Sequence, residues 1–522
     1  MSQGERVSHA RVTHAGVGNE SLPTGLKRGL ITISVILASF LQALDQTIAN
    51  VALPHIGGEL SATQEQISWV LTSYIVAAAI MIPLSGWLAD RYGRKKVLVL
   101  SVVIFTVSSA LCGIAQTLGQ IVLFRFLQGL AGAALVPQSQ AVLLDINPPE
   151  RQGRAMAVWV LAVVVGPAVG PVLGGWLTEN YSWRWVFFIN VPFGILSVLG
   201  LLGFMRESAT RRETFDFFGF ATLSLAIGAL QIMLDRGQLQ DWFSSTEICV
   251  EAVLGAVAFY LFMVHTLTAR NSFVSPGLFR DRNFDVGCVA IFTFGVVLFA
   301  TLALLPPLLQ QLLGYPVVTT GWVTAPRGVG TLIATLMVGS LISWIGARFL
   351  IGVGIAVTAF STWQMCGFSP LMDNRLVVWS GFIQGMGIGL AYVPLTTVCF
   401  ATLAPQFRSG GTSMFNLLRN IGSSIGISAV QVLLTRNTQI MHSRLAEHIT
   451  LYGGQLRPAA PYSFSMPQGL AALDASVTRQ AQMIAYNNDF KLLLVLSLAI
   501  LPLVLLLKPP RPGAGSAPVM ME

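Results

Sequence analysis

The 522-residue chain is 54% hydrophobic and only 10% charged, against roughly 25% charged in ordinary soluble domains. It cannot cover a water-facing surface with polar groups, so lipid must be the solvent for much of its length. The net charge of +8 does not mark a nucleic-acid binder, because the basic residues sit in short loops between apolar runs rather than on one face or tail.

In chain order, residues 1–28 are polar, lack an apolar core ending in small residues, and read as a cytoplasmic tail rather than a cleaved signal. Fourteen helix-length apolar segments follow: 29–51, 68–89, 96–115, 119–143, 154–177, 184–205, 216–235, 247–267, 285–306, 321–342, 347–368, 376–397, 411–434 and 490–508. Each approaches the roughly 20 residues that a helix needs to cross about 30 Å of hydrocarbon. Loops on one side carry Lys27, Arg28, Arg91, Arg94, Lys95, Lys96, Arg151, Arg154 and further bases, while the short loops on the other carry Arg184, Arg236 and Arg375. The positive-inside rule then puts both termini, with the tail 509–522, in the cytoplasm. Residues 435–489 read as a long outer loop, partner-facing or gating, whose flank 434–448 could extend the thirteenth span as an amphipathic rod.

The two ends of the chain repeat. Pro54 and Pro307, Trp69 and Trp322, Gly86 and Gly339, and Gly93 and Gly346 share one offset; Gln128-Gly129 and Gln384-Gly385, then Arg151 and Arg408, follow at nearly the same spacing. A near-constant offset over so many markers signals an internal duplication. It divides the chain into a six-helix bundle at 29–205, an insert of two helices within 206–284, and a second six-helix bundle at 285–508. Parallel repeats of this kind are a transporter architecture with its site between the halves.

Several motifs sit in these spans. Gly86, Asp90, Arg91, Gly93 and Arg94 form a glycine-hinged, charged turn after the second span. Leu44-Asp45-Gln46-Thr47 opens a motif that runs to Pro54 in the first span. Arg125-Phe-Leu-Gln128-Gly129 lies in the fourth, and Gly166, Pro167, Gly170, Pro171, Gly174 and Gly175 lie in the fifth. Leu234-Asp235-Arg236-Gly237 follows the seventh. Together they resemble the fourteen-helix drug:proton antiporters of the major facilitator superfamily, the EmrB/QacA group, and the EmrB type within it. The resemblance covers residues 29–508. It implies an all-α major facilitator fold, a cytoplasmic gate loop at Gly86–Arg94, proton coupling at the fourth-span motif, and an antiporter motif in the fifth. It also implies a bacterial inner membrane, export powered by the proton-motive force without a bound cofactor, and assembly with a periplasmic membrane-fusion adaptor and an outer-membrane channel.

The residues themselves suggest where the work is done. Asp45 lies about 9 Å from the outer end of the first span, and an ionised acid in a bilayer costs several kcal/mol unless it faces a polar cavity or carries protons. Arg125 falls at nearly the same depth, so the two can pair, and protonating the acid would release the pair. The structural alternatives are an acid packed near Asn50 and an arginine bonded to backbone. Gln42 and Gln128 share the faces of these two residues. Arg327, Asn416, Arg419 and Asn420 either line a cavity or pair structurally, and Asp216 reads as a structural acid at a helix N-terminus, where the dipole favours it. The second half has Leu298 and Gly381 at the places of Asp45 and Arg125, which predicts that coupling belongs to the first half.

The six histidines show no i,i+3 or i,i+4 pair, the five cysteines no metal spacing, and the chain has neither a GxxxxGK[ST] loop nor a catalytic constellation. The expectation is therefore a non-enzymatic exporter that exchanges protons for lipophilic or amphipathic molecules, with no metal and no nucleic-acid partner. The alternatives are a narrow-specificity exporter of one metabolite, lipid or siderophore, and a transporter-like scaffold that moves nothing.

Overall fold

The computed structural model describes residues 25–507 apart from 63, 209, 211–214, 238–239, 270–271, 405–406 and 450–466. The tails expected at 1–28 and 509–522 lie outside the described residues, save for Gly25 onward, which starts the first helix. The described residues are helical almost throughout. In chain order the helices are α1 (Gly25–Glu59), α2 (Gln64–Tyr92), α3 (Arg94–Gly113), α4 (Leu118–Ile146), α5 (Pro149–Asn180), α6 (Trp185–Phe188), α7 (Asn190–Phe204) and α8 (Phe217–Arg236). They continue as α9 (Thr246–Thr268), α10 (Arg282–Pro307), α11 (Val317–Thr324), α12 (Pro326–Ile345), α13 (Ala347–Met365), α14 (Asn374–Ala401), α15 (Arg408–Glu447) and α16 (Pro467–Val504).

Every expected span falls on one of these helices, the sixth on α6 with α7 and the tenth on α11 with α12. Eleven helices among the described residues are long and apolar enough to cross a membrane; α5, α12 and α13 are not among those eleven.

Local chemistry sets the boundaries. Thr117 accepts from the Gln120 amide to start α4, and Asp216, Asp281 and Asp373 do the same at α8, α10 and α14. Gly93 and Gly346 have φ of 95° and 84°, a backbone that favours glycine. They make the same tight turn at repeat-related positions, α2 to α3 and α12 to α13.

Packing follows the duplication. α2 on α4, α3 on α4, α1 on α5, α1 on α7 and α3 on α7 recur as α12 on α14, α13 on α14, α10 on α15, α10 on α16 and α13 on α16. The two sets meet where α2 and α4 face α15 and where α5 faces α11, α12 and α14. α8 and α9 pack on each other, and α8 also rests on α2 and α15. At the end of α8, Asp235 accepts the Thr72 hydroxyl and Arg236 lies 5.1 Å from the Trp69 ring centre, so the insert is pinned to α2.

One expectation is corrected. Residues 435–489 are not a long loop: α15 continues to Glu447 and α16 begins at Pro467. With 40 and 38 residues, each helix is about 55–60 Å long, nearly twice the hydrocarbon thickness. The two run past the membrane as an antiparallel pair tied by His442 Nε2 and Asp474 Oδ1 at 3.0 Å. Their polar stretch is the solvated face of a paired helix, which composition alone does not distinguish from a loop.

Candidate functional site

Asp45 sits on α1 and Arg125 on α4, at exposures of 0% and 1%. The guanidinium NH1 donates to Asp45 Oδ2 at 2.6 Å and to Gln128 Oε1 at 2.9 Å, while Nε donates to the Val70 carbonyl at 3.2 Å. The other carboxylate oxygen, Oδ1, accepts from Gln128 Nε2 at 2.9 Å and from Asn190 Nδ2 at 3.0 Å. Asn190 is held in turn by Ser109, whose hydroxyl donates to the Phe187 carbonyl at 2.8 Å. The Tyr74 ring lies under the guanidinium with its centre 4.3 Å away, a favourable cation–π arrangement. Burial of two charges is costly, and it is offset here because the pair is close and the remaining lone pairs are bonded. The cluster is therefore built around an ionised Asp45. A proton arriving on that carboxylate would strand Arg125 without its counter-ion.

The sequence reading named Asp45, Arg125 and Gln128, and the fold brings all three together. Gln42 is buried one turn from Asp45 and approaches the Tyr74 hydroxyl without a well-aligned hydrogen bond. The suggested Asn50 neighbour is wrong, because Asn50 is exposed and the amide that reaches Asp45 is Asn190. Asn190 is a lone amide within an apolar run, a weak signal that a polar side chain there needs a partner.

The glycines of α5 place α1. Gly166, Gly170 and Gly174 lie one turn apart and face Ala43, Thr47 and Ile48; a methyl group at Gly166 would come 2.9 Å from the Leu44 amide nitrogen. The α5 backbone thus presses directly on the helical turns that carry Asp45. α5 runs as one helix through Pro167 and Pro171, and Gly175 is buried.

At the base-rich end, Gly93 allows Glu207 to close over the α2–α3 turn, where its carboxylate accepts from the Lys95 amide at 3.1 Å. Arg94 pairs with Asp145 at the end of α4, and Arg408 of α15 stands 3.9 Å from the same carboxylate. Asp145 thus joins the two sets of helices, a role its position in the sequence did not reveal. Arg91 is exposed and Asp90 half-buried. Nearby, Ser85 meets Ser413 at 3.3 Å, and Asn416 donates to Gln140 at 3.0 Å and to the Thr412 carbonyl at 2.8 Å. Asn416 therefore bridges α15 to α4 instead of lining a cavity.

Arg419 is buried and donates to the Tyr392 hydroxyl at 3.1 Å, and Asn420 is half-buried. Arg327, 6% exposed, donates to the Leu298 carbonyl at 3.4 Å, and among the described residues its NH1 has no partner. Among the described residues no cluster of His, Cys, Asp or Glu could hold a metal.

The major facilitator superfamily model matches residues 35–427. The chain belongs to the major facilitator superfamily. This transporter is 37% identical to the multidrug export protein EmrB of Escherichia coli K12, with 94% of this chain and 97% of that protein covered. It is 38% identical to the fatty acid resistance protein FarB of Neisseria gonorrhoeae, over 93% and 97% of the two chains. It is thus an EmrB-type member of the superfamily. Among solved structures, the proton:xylose symporter XylE aligns with a TM-score of 0.59 at 13% identity, covering 90% of this chain and 94% of that one. The human organic anion transporter MFSD10 aligns with a TM-score of 0.58 at 14% identity, over 91% and 100%. At such identities these two attest the fold alone.

Proposed function

We propose that this transporter is a proton-driven multidrug exporter of a bacterial inner membrane. It would exchange protons for lipophilic or amphipathic molecules, with its base-rich end and both termini in the cytoplasm. The observation that carries the reading is the buried Asp45–Arg125 pair with its hydrogen bonds to Gln128, Asn190 and the Val70 carbonyl. Protonation of Asp45 from the outer side removes the charge that Arg125, Gln128 and Asn190 are arranged around. The freed guanidinium then favours a different arrangement of α4 against α1, and the proton's free energy becomes a shift between conformers. The two six-helix sets rock about their shared faces, with the contacts at Asp145, Ser85–Ser413 and Asn416–Gln140 closing the cytoplasmic side. Similarity to multidrug export proteins along nearly the whole chain supports export as the direction of transport. No cofactor is needed, because the proton gradient supplies the work. The α15–α16 pair, which overshoots the membrane, is the natural contact for a periplasmic membrane-fusion adaptor leading to an outer-membrane channel.

The test is uptake of ethidium into inverted membrane vesicles under an imposed pH gradient. The wild type should accumulate the dye, and Asp45→Asn should fall to the background of vesicles without transporter. Equal pumping by the variant would overturn the coupling assignment. A second reading, a narrow-specificity exporter of a lipid-like acid, is favoured by Arg327, a buried cation with no acidic partner among the described residues, and by the fatty acid resistance relative. A substrate panel in efflux-deficient cells separates the two, since only the multidrug reading expects resistance to chemically unrelated compounds.

A further inference from the structure

A second acid lies inside the bundle. Asp489, on α16, is 1% exposed, and among the described residues neither carboxylate oxygen has a hydrogen-bond partner. Its surroundings are apolar: Tyr486, Phe490 and Leu493 of the same helix join a core cluster with Leu304 and Leu305 near the end of α10, Leu308 and Leu309 just past it, Met365 and Phe368 around the end of α13, and Val430 of α15. The neighbouring amide Asn487 is turned away, donating to the Phe368 carbonyl at 3.0 Å.

Charged and titratable groups on the packed helices stand apart from it. The His442–Asp474 contact fixes the antiparallel register of α15 and α16 and puts Asp489 level with Ile427. Arg419 and Arg436 of α15 are then about 12 Å and about 14 Å away along the helix axis. α13 contributes Cys366, which lies in the field of Lys491, and Lys491 itself is exposed on another face of α16. On α10, Asp285 and Cys288 belong to the opposite, base-rich end, some 30 Å along that helix from its Pro307 terminus. On α16 itself, Lys491 and Tyr486 are the titratable groups nearest in sequence.

A carboxylate buried in this way with no donor cannot stay ionised, because nothing repays the loss of its hydration. Asp489 is therefore held as the neutral acid in this arrangement, while Asp45 is held as the anion. We propose that Asp489 is a second proton-binding site of the transport cycle, in the second six-helix set, loaded in the conformer that Asp45 occupies unprotonated. Asp45 then takes its proton from the same outer side, and the bundles rock with both acids loaded. In the alternate conformer, water from the cytoplasmic side takes the protons of both Asp489 and Asp45. This deepens the antiport reading and rests on it, adding a second proton to the exchange. Each step is a proton transfer between a carboxyl group and water, with no other bond made or broken.

The experiment counts protons released per tetraphenylphosphonium bound, in weakly buffered detergent solution with a pH indicator, for the wild type, Asp45→Asn, Asp489→Asn and Asp489→Glu. Intact folding is verified by monodispersity and retained tetraphenylphosphonium binding. Asp489→Asn should release one proton fewer than the wild type, with Asp489→Glu restoring the count. In membranes, a hydrophobic carbodiimide should label Asp489 and leave Asp45 unmodified, because the reagent attacks protonated carboxyl groups. If Asp489→Asn binds the cation and releases as many protons as the wild type, or if Asp489 resists the carbodiimide, the second site is overturned. If the wild type neither binds nor moves any lipophilic cation, it is the multidrug reading that falls; the carbodiimide result still decides Asp489.

Discussion

The two six-helix sets share a packing scheme but not a chemistry. Gly129 brings α4 against the Tyr74 backbone of α2, and its counterpart Gly385 brings α14 against the Arg327 backbone of α12. Gly166 and Gly170 of α5 press on α1, and Gly422 and Gly426 of α15 press on Phe292 and Val296 of α10 in the same way. At the polar positions the halves part. Where the first has Tyr74 and Arg125, the second has Arg327 and Gly381, so the buried guanidinium has moved to the neighbouring helix, with the gap at Gly381 beside it. Asp45 is replaced by Leu298, whose carbonyl accepts from Arg327. The comparison teaches that the seams, which any rocking bundle needs, are kept in both copies, whereas a neutralised ion pair is kept in one.

The largest test of this contrast is the removal of each guanidinium. Arg125→Met leaves Asp45 buried without a counter-ion and should cost about 3–5 kcal/mol. Arg327→Met strands no acid and should cost nothing measurable or raise the melting temperature. Thermal unfolding in detergent by intrinsic fluorescence compares the two, and equal losses would refute the asymmetry. The seams should respond alike, since Gly170→Val and Gly426→Val each force a side chain into a neighbouring helix, at about 1–3 kcal/mol. Only Gly170→Val should also disturb the pH dependence of ethidium transport, because only that seam carries an acid.

The smallest effect concerns the loops opposite the base-rich end. In the first half, Glu59 accepts from Trp183 Nε1 and Arg184 NH1, both at 2.5 Å. These hydrogen bonds hold its carboxyl below the usual glutamate value. A depressed carboxylate stabilises the fold above its unfolded pKa, and that contribution is lost as the pH falls through the folded value. Glu59→Gln should therefore narrow the gap in melting temperature between neutral pH and mildly acid pH. The exposed Asp373–Arg375 pair, at 3.6 Å in the second half, should give no such change when Asp373 becomes Asn.

Much of this was legible in the sequence, and the exceptions have physical causes. Apolar length located every helix, and the offset of the glycine and proline markers anticipated the matched turns at Gly93 and Gly346. Asp45 and Arg125 stood out because charges are rare in lipid. Asn190 was passed over because a single amide in an apolar run carries no such alarm. Asp489 was missed for another reason. It follows Asn487 and Asn488, and three polar residues together imitate a loop end, whereas α16 continues outward and turns the acid into the bundle. Asp145 and Arg408 are ordinary loop-flanking charges until the fold sets them side by side.

The glycine stripe of α5 has one mechanical result. Its backbone meshes with the two turns of α1 that carry Asp45, like a rack against a pinion, so α5 cannot slide or roll without carrying the carboxylate along. Titration and movement then share one part, and the pump needs no separate linkage to carry the arrival of a proton to the bundle that must turn.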